Sequence, residues 1–248
     1  MKPPTVSIIT AVFNDPRVER ALESIRNQDY HGSIETVVVD GGDDSNTQRA
    51  IDAFGPDCLI REPDKGIYDA MNKGIEAASG DVIGILNADD QYAAPSVLRQ
   101  AVKPIADGAH ASYGDIVIED DQGNILRTWR AGHGRWCFGW MPPHPSVFVH
   151  REVYEQAGKF RLDLPIAADY EFMLRSFRGG TRNLIYVPQT TVRMAAGGAS
   201  QASLRAVLSG WQQTRQSWQV HGSRWGPVAA TLKPARKVGQ FFSRAQQG

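Results

Sequence analysis

In the first hundred residues, two patterns of hydrophobic positions alternate along the chain. Short apolar, β-branched runs predict strands, and apolar positions three or four apart predict helices between them. The predicted strands cover residues 6–13, 34–39, 58–60 and 82–86, and the predicted helices cover residues 17–28, 47–54 and 67–78. Strands that alternate with helices of this length are typical of βαβ units. We therefore expect an α/β fold with a mostly parallel central sheet and flanking helices.

The pattern changes in the second half of the chain. A helix is predicted at residues 97–106 and another at 170–177. Two strands, at 110–119 and 125–131, are joined by a hairpin-type turn, and further short strands are predicted at 146–149 and 184–187. The last of these ends where Pro188 follows. This half is therefore expected to be mixed rather than parallel.

Polar side chains follow three of the predicted strands. Asn14 follows the first, Asp40 the second, and the adjacent pair Asp89 and Asp90 the fourth. Because the carboxyl ends of parallel strands meet at one edge, these groups are expected together at the mouth of a crevice. Two adjacent carboxylates repel each other and favour a bound cation or proton, and hard oxygen ligands suit Mg²⁺ or Mn²⁺. The alternative is a solvated acidic turn.

The loop after the first strand lacks the glycines of a dinucleotide-binding or P-loop motif. A diphosphate would have to be neutralised in another way, and a metal ion on the acidic pair would do so. Asp40 is followed by two glycines that allow a close approach to a ligand. Its carboxylate is a candidate partner for a ribose hydroxyl or a base N–H.

Composition and charge indicate the compartment of the protein and the kind of partner it binds. The 248 residues are 42% hydrophobic, with two widely separated cysteines, which favours a reduced, cytoplasmic compartment. No signal peptide or membrane-length apolar run is apparent. The net charge is zero, but no acidic residue follows Glu171, while 11 basic residues do. This asymmetry indicates an anionic partner: nucleic acid, anionic lipid or a pyrophosphate-bearing substrate.

The C-terminal segment has two kinds of pattern. Leu204, Leu208, Trp211 and Trp218 recur at helical spacing, which favours packing against the body of the protein. Residues 228–242 mix apolar and basic side chains. Such a tail is either an amphipathic anchor at an anionic membrane surface or a solvated basic extension, and the sequence leaves both open.

Four segments in order, at residues 6–14, 39–42, 64–74 and 86–90, resemble the serial motifs of family 2 glycosyltransferases. The likeness covers roughly residues 5 to 195, and the form of residues 64–72 is most similar to bacterial enzymes of capsule, colanic acid and O-antigen assembly. The resemblance implies the GT-A fold, a nucleotide-diphosphate sugar as donor, and inversion at the anomeric carbon. It also implies a catalytic domain at residues 1–199, with donor and acceptor halves at 1–95 and 96–199. Residues 200–248 would form a basic helical extension.

The resemblance assigns roles at the donor side. Thr10, Val12 and Asn14 would cradle the base, and Asp64 and Lys65 are further donor-ligand candidates. Asp90 would bind the metal directly, while Asp89 would contact the ribose or a metal-bound water. Many family members have Asp-x-Asp-Asp in this motif, whereas this chain has Asn87 at the first position.

Inverting transfer needs a base that deprotonates the acceptor hydroxyl as it attacks the sugar. By the resemblance this base is Asp169, which precedes a predicted helix and follows Ala168 rather than an acid. The alternative is an N-cap, a common role for aspartate at this position.

The roles of two further residues stay open. His144 either binds an acceptor or a donor phosphate, or has a structural role beside its prolines. Arg193, near Gly197 and Gly198, either belongs to a mobile loop that closes over the pyrophosphate or lies in an ordinary turn.

We therefore expect a metal-dependent inverting glycosyltransferase with Mg²⁺ or Mn²⁺ as cofactor and a UDP-sugar as the favoured donor. The acceptor would be a glycan or a polyprenyl-pyrophosphate-linked glycan at the inner face of a bacterial membrane. Two alternatives are a nucleic-acid-binding module, which lacks a recognisable reader motif here, and a sugar nucleotidyltransferase, whose basic glycine-rich first loop is missing. Nucleic acid is accordingly not an expected partner.

Overall fold

A computed structural model describes residues 2–197, 204–223 and 225–238 of the chain. Its strands are β1 (Val6–Val12), β2 (Ile34–Asp40), β3 (Cys58–Arg61), β4 (Val82–Ile85), β5 (Gln91–Tyr92), β6 (Ala111–Glu119), β7 (Ile125–Trp129), β8 (Phe148–His150) and β9 (Leu184–Ala195). Its helices are α1 (Val18–Arg26), α2 (Ser45–Phe54), α3 (Ile67–Ala77), α4 (Val97–Ala106), α5 (Arg151–Ala157), α6 (Ala168–Phe177), α7 (Leu204–Val220) and α8 (Gly226–Val238).

Within the described residues, nine strands form one sheet in the order β3-β2-β1-β4-β8-β6-β9-β5, with β7 paired to β6. The strands β3, β2, β1 and β4 run parallel, and β8 joins β4 in the antiparallel direction. The predicted α/β class is thus confirmed, with the parallel strands in the first half and a mixed arrangement in the second.

Each face of the sheet has its own hydrophobic core. Alternate residues of β1 explain the division, because Ile9 faces one core and Ile8 the other. The Ile9 core is completed by α3, α5 and α6, and the Ile8 core by α1 and α4. The strand β1 is therefore covered on both sides, and all seven of its residues are buried.

The strand predicted at residues 184–187 is too short, because β9 continues through Pro188 to Ala195. The ladder with β6 is irregular at that point: Tyr113 pairs with Tyr186, but Asp115 pairs with Thr190. Pro188 lies within the resulting bulge, where no ladder donor is needed. The sequence also gave no signal for the two-residue strand β5 or for the short helix α5.

Of the C-terminal helices, α7 packs on α6 and α8 packs on α7. Trp218 of α7 and Ala229 of α8 are 1% and 0% exposed and belong to the Ile9 core. Trp211, at matching helical spacing, is 45% exposed, and Leu208 is also exposed. Within the described ranges, no helix combines the length and apolarity needed to cross a bilayer. Gly198 and the predicted anchor residues Phe241 and Phe242 lie outside the described residues.

Candidate active site

The carboxyl ends of β1, β2 and β4 lie side by side. In the register of the sheet Val12 is opposite Asp40, and Ile9 is opposite both Val37 and Ile85. Asp40, the last residue of β2, and the loops that contain Asn14 and the Asp89–Asp90 pair therefore lie at one edge of the sheet. The sequence predicted this grouping from the order of the strands.

Asn14 joins the first two loops. Its φ of 49° places it in the left-handed region, and its Oδ1 accepts hydrogen bonds of 2.8 Å from the backbone N–H groups of Asp43 and Asp44. A Cβ at Gly42 would collide with the Asn14 side chain and backbone. The two loops thus fit closely only because residue 42 has no side chain.

The loop before α3 lies beside the turn that contains Gly41 and Gly42. A Cβ at Gly41 would collide with the Asp64 carboxylate, whose Oδ1 also accepts a 2.8 Å hydrogen bond from Gly66 N–H. Lys65 is exposed, and its backbone N–H donates to Asp69 Oδ2. The structure thus brings Asp64 beside the Asp40–Gly42 turn.

Three of the predicted donor contacts are less accessible than the sequence suggested. Thr10 and Val12 are 0% and 2% exposed, and the Val12 carbonyl already accepts from Gly41 N–H. Asp40 is 1% exposed and accepts hydrogen bonds from Gly42 N–H and from Arg61. The side chains of Thr10 and Val12 are therefore not in a position to cradle a base, because both lie within the sheet's core.

The two acidic residues after β4 have different surroundings. The Asp89 side chain is 27% exposed. Asp90 is 1% exposed, and its carboxylate accepts hydrogen bonds from Asn87 Nδ2 at 3.1 Å and from Ala195 N–H at 3.3 Å. The expectation that both carboxylates stand open at the crevice is wrong for Asp90, because β9 extends far enough to cover it.

Burial raises the pKa of both carboxyls, and repulsion by the Asp89 charge raises that of Asp90 further. For Asp90, burial and then the charge of Asp89 raise the pKa to about 8. The pKa of Asp89 is raised mainly by burial. A nearby cation would relieve both effects.

The donor set next to Asp89 fits a hard divalent cation that is shared with a substrate. Asn87 Oδ1 is buried and has no hydrogen-bond partner in the described part of the chain. It lies in the same turn as the two carboxylates, so all the atoms that this turn offers as metal ligands are oxygens. No group of three or more His, Cys, Asp or Glu side chains within the described ranges could hold a metal by itself. The protein would thus supply only part of a coordination shell, as is usual for Mg²⁺ with phosphate substrates.

Arg17 lies beside this acidic turn. Its Nη2 is 2.6 Å from Asp15 Oδ2 and 3.7 Å from Asp89 Oδ2. The hydrogen bonds to Asp15, and to a smaller extent the charge of Asp89, raise the pKa of the guanidinium. Arg17 thus provides a positive charge at the one accessible carboxylate of the pair.

Asp169 lies in the first turn of α6 and is partly exposed. Its Oδ1 accepts hydrogen bonds from Tyr170 N–H at 2.7 Å and from the Tyr68 hydroxyl at 3.1 Å. No hydrogen bond from a described residue reaches Oδ2. The N-cap position belongs to Ala167, so Asp169 is not the cap that the alternative interpretation required.

His144 lies near this carboxylate and is partly buried in a short 3₁₀ turn (His144–Ser146). Its ring packs edge-on against Phe160 at a centroid distance of 5.6 Å. Burial lowers the pKa of His144, and the negative charge of Asp169 opposes this effect only in part. The imidazole is therefore neutral at neutral pH, which favours hydrogen bonding over charge pairing with a phosphate.

Arg193 does not belong to a mobile loop. It lies in β9, paired with Gln91 and Val117, and its guanidinium is 3.5 Å from Glu119. Its side chain is 48% exposed, and it is two residues from the Ala195 N–H that contacts Asp90. Neither of the two interpretations left open for Arg193, a closing loop or an ordinary turn, fits its position, because the strand continues past Pro188.

Three residues at this edge were missed by the sequence analysis. Arg17 was treated only as part of a helix, and Tyr68 and Phe13 lay within the family motifs but were given no role of their own. Phe13 is 68% exposed at the end of β1, just before Asn14. A large exposed aromatic beside polar strand ends is a detectable signal, whereas the contacts of Tyr68 with residues about a hundred positions away are not.

Comparison with known proteins identifies the family to which the chain belongs. The model of the Glycosyl transferase family 2 domain matches residues 7–172, which is more than half of the chain. This chain belongs to glycosyltransferase family 2. Family membership selects glycosyl transfer over nucleic-acid binding and nucleotidyl transfer.

Relatives support the same assignment. This family 2 chain is 37% identical over 186 residues to an uncharacterized glycosyltransferase of Mycobacterium tuberculosis, covering 70% of this chain and 69% of that one. It is 30% identical over 185 residues to a PGL/p-HBAD biosynthesis glycosyltransferase of Mycobacterium bovis, with 71% of each chain covered.

Solved structures show the same fold at low sequence identity. The mannosyltransferase PcManGT from Pyrobaculum calidifontis, in complex with GDP-Man and Mn²⁺, has a TM-score of 0.67 at 21% identity, covering 99% of this chain and 78% of that one. TarS 1-349 from S. aureus, in complex with UDP-GlcNAc, has a TM-score of 0.69 at 14% identity, covering 99% and 74%. The family 2 chain therefore has the GT-A fold.

Proposed function

We propose that this glycosyltransferase is a metal-dependent inverting enzyme that takes a nucleotide-diphosphate sugar, with UDP as the favoured nucleotide. The observation that carries the proposal is the acidic turn after β4. Asp89 is accessible there, Asp90 has a raised pKa, and the buried Asn87 Oδ1 has no partner among the described residues. Such a turn favours a divalent cation, and PcManGT is described with Mn²⁺. Mn²⁺ or Mg²⁺, when bound, would neutralise the donor diphosphate.

Several residues of this chain are proposed to contact the cation or the nucleoside of the donor. The accessible Asp89, rather than the covered Asp90, is placed to hold the cation directly, while Asp90 orients the turn through Asn87 and Ala195. Asp64 and Asn14 lie against Gly41 and Gly42, and the nucleoside is proposed to lie beside these residues. The exposed ring of Phe13 is available to stack on its base.

Asp169 is the proposed base. The acceptor oxygen attacks the anomeric carbon while the bond from that carbon to the phosphate oxygen breaks. The nucleoside diphosphate leaves with the electron pair, and the acceptor proton moves to Asp169 Oδ2, which no described hydrogen bond occupies. His144, neutral and nearby, is available to hydrogen-bond the acceptor. Attack from the side opposite the leaving group inverts the sugar carbon.

The acceptor is proposed to be a glycan or a lipid-linked glycan in bacterial polysaccharide or glycolipid assembly. A relative at 30% identity is named for PGL/p-HBAD biosynthesis. Action at the cytoplasmic face of the membrane fits the absence of acidic residues after Glu171, since the tail would meet anionic lipid favourably.

Charge substitution tests this membrane location better than truncation, because removing α8 would also strip the buried Ala229 from the core. The triple variant Lys233→Gln, Arg236→Gln, Lys237→Gln is expected to lose flotation with vesicles that contain phosphatidylserine. A matched triple at Arg49, Arg99 and Lys103 should still float. Equal flotation of both variants would contradict an electrostatic anchor in the tail.

The donor and metal are tested by nucleotide release. We expect release from at least one of UDP-glucose, UDP-galactose, UDP-N-acetylglucosamine, GDP-mannose and dTDP-rhamnose in the presence of Mn²⁺, and loss of that activity with EDTA. Asp89→Asn should abolish it, while Asp107→Asn, an exposed substitution at the C-terminal end of α4, should not. Activity that survives EDTA would refute the metal dependence.

A further inference from the structure

The Tyr68 hydroxyl is directed at the proposed base from the other half of the protein. Tyr68 is in the first turn of α3, and its hydroxyl donates to Asp169 Oδ1 at 3.1 Å. The same hydroxyl is 3.3 Å from the carbonyl of Ile166, in the segment that leads into α6. One side chain thus links α3 to both the carboxylate and the backbone before it.

The two oxygens of Asp169 are therefore unequal. Oδ1 accepts from Tyr68 and from Tyr170 N–H, whereas Oδ2 has no hydrogen bond from a described residue. A carboxylate held by one oxygen cannot rotate freely, so its second oxygen keeps a fixed direction. A general base needs such orientation, because proton transfer requires hydrogen-bond geometry with the reacting hydroxyl.

Tyr68 is itself held and remains protonated. Its ring packs on Phe160 at a centroid distance of 5.5 Å. Burial and the neighbouring charge of Asp169 raise its pKa well above the ordinary value. The hydroxyl is consequently a hydrogen-bond donor throughout the working pH range.

We infer that Tyr68 is a positioning residue for the transfer reaction, which fixes Asp169 so that Oδ2 faces the acceptor hydroxyl. The inference rests on the proposed role of Asp169 as base. It assigns a catalytic purpose to the segment at residues 64–72 beyond its contacts at the donor side.

The test is Tyr68→Phe, which keeps the ring and removes one hydroxyl. With the donor from the panel that gives the highest rate, we expect kcat to fall about tenfold at unchanged KM. The acid limb of the pH–rate profile should move to higher pH, because a donor to the ionised carboxylate is lost. UDP binding in Mn²⁺, measured by titration calorimetry, should be unchanged. Tyr30→Phe is the matched control, since that hydroxyl donates to Pro4 O, which precedes the amino end of β1.

The same substitution in an Asp169→Asn background separates the two ideas. If Tyr68 acts through Asp169, Tyr68→Phe has little further effect there. An active Asp169→Asn enzyme would refute the base assignment. An inactive Asp169→Asn enzyme with a Tyr68→Phe variant that matches wild type in rate and pH profile would overturn only the role of Tyr68. Parallel losses of melting temperature and UDP affinity in Tyr68→Phe would reduce that role to a structural one.

Discussion

The indole Nε1 of Trp218 donates a 2.8 Å hydrogen bond to the hydroxyl of Tyr170, the residue next to the proposed base. Two other contacts accompany it. Gln213 Oε1 accepts from the backbone N–H groups of Ile166 and Ala167, and His221 pairs with the buried Glu171 at 2.9 Å. Helix α7 therefore contacts α6 and the segment before it on both sides of Asp169. It packs as part of the same structural unit as Asp169.

This contact predicts a large difference between two tryptophans of one helix. Trp218→Ala removes a fully buried side chain and is expected to cost about 3–5 kcal/mol of unfolding free energy. Trp211→Ala, at a position 45% exposed, should cost less than about 1 kcal/mol. Chemical denaturation of both variants measures the difference. Equal losses would mean that α7 does not pack as described.

The pKa of Asp90 predicts a pH dependence of stability. Because its pKa is raised to about 8 in the folded protein, the folded state binds more protons than the unfolded state between about pH 4 and pH 8. Stability measured in EDTA should therefore decrease as pH rises through that window and level off above it. Asp89, whose pKa is also raised, contributes in the same direction.

Asp90→Asn tests the origin of this effect. The variant should lose much of the pH dependence in EDTA and should be more stable than wild type above pH 8, because no buried charge then forms. Asp107→Asn, at an exposed ion pair, should follow wild type. A variant with an unaltered pH dependence would show that Asp90 titrates normally.

The position of Arg17 predicts its effect on metal binding. The guanidinium is 3.7 Å from Asp89, so it competes with any cation at that carboxylate. Since the pair is partly exposed, the effect is modest: Arg17→Gln should tighten Mn²⁺ binding without nucleotide by a few-fold. Electron paramagnetic resonance of free Mn²⁺ measures this, with Arg20→Gln as control. Weaker Mn²⁺ binding by Arg17→Gln would contradict the arrangement.

The sequence predicted the parts of this site that depend on local pattern. The order of apolar strands placed Asn14, Asp40 and Asp89 at one edge, because parallel strands share their direction. The family motifs supplied Asp169, which no periodicity would have singled out. The register of the sheet confirms that the strand ends share one edge, whereas the role of Asp169 stays a prediction.

The failures involve partners that are distant in sequence. Asp90 looked exposed at a strand end, but Ala195 covers it from a strand that continues beyond Pro188. Trp211 and Trp218 share one helical pattern, and only the packing of α6 decides which is buried. Tyr68 contacts Asp169 across 101 positions. Tertiary packing fixes all three outcomes, and a local pattern does not contain it.

The measurement that tests the account most directly compares Asp169→Asn with Asp163→Asn, an exposed aspartate before α6 that pairs with Arg161. Sugar transfer and Mn²⁺-dependent UDP binding are measured on both. The account predicts that Asp169→Asn binds UDP normally but transfers sugar at least about a hundredfold more slowly, the usual contribution of a general base. Asp163→Asn should match wild type in both. Near-normal transfer by Asp169→Asn would contradict the account, because the base would then lie elsewhere.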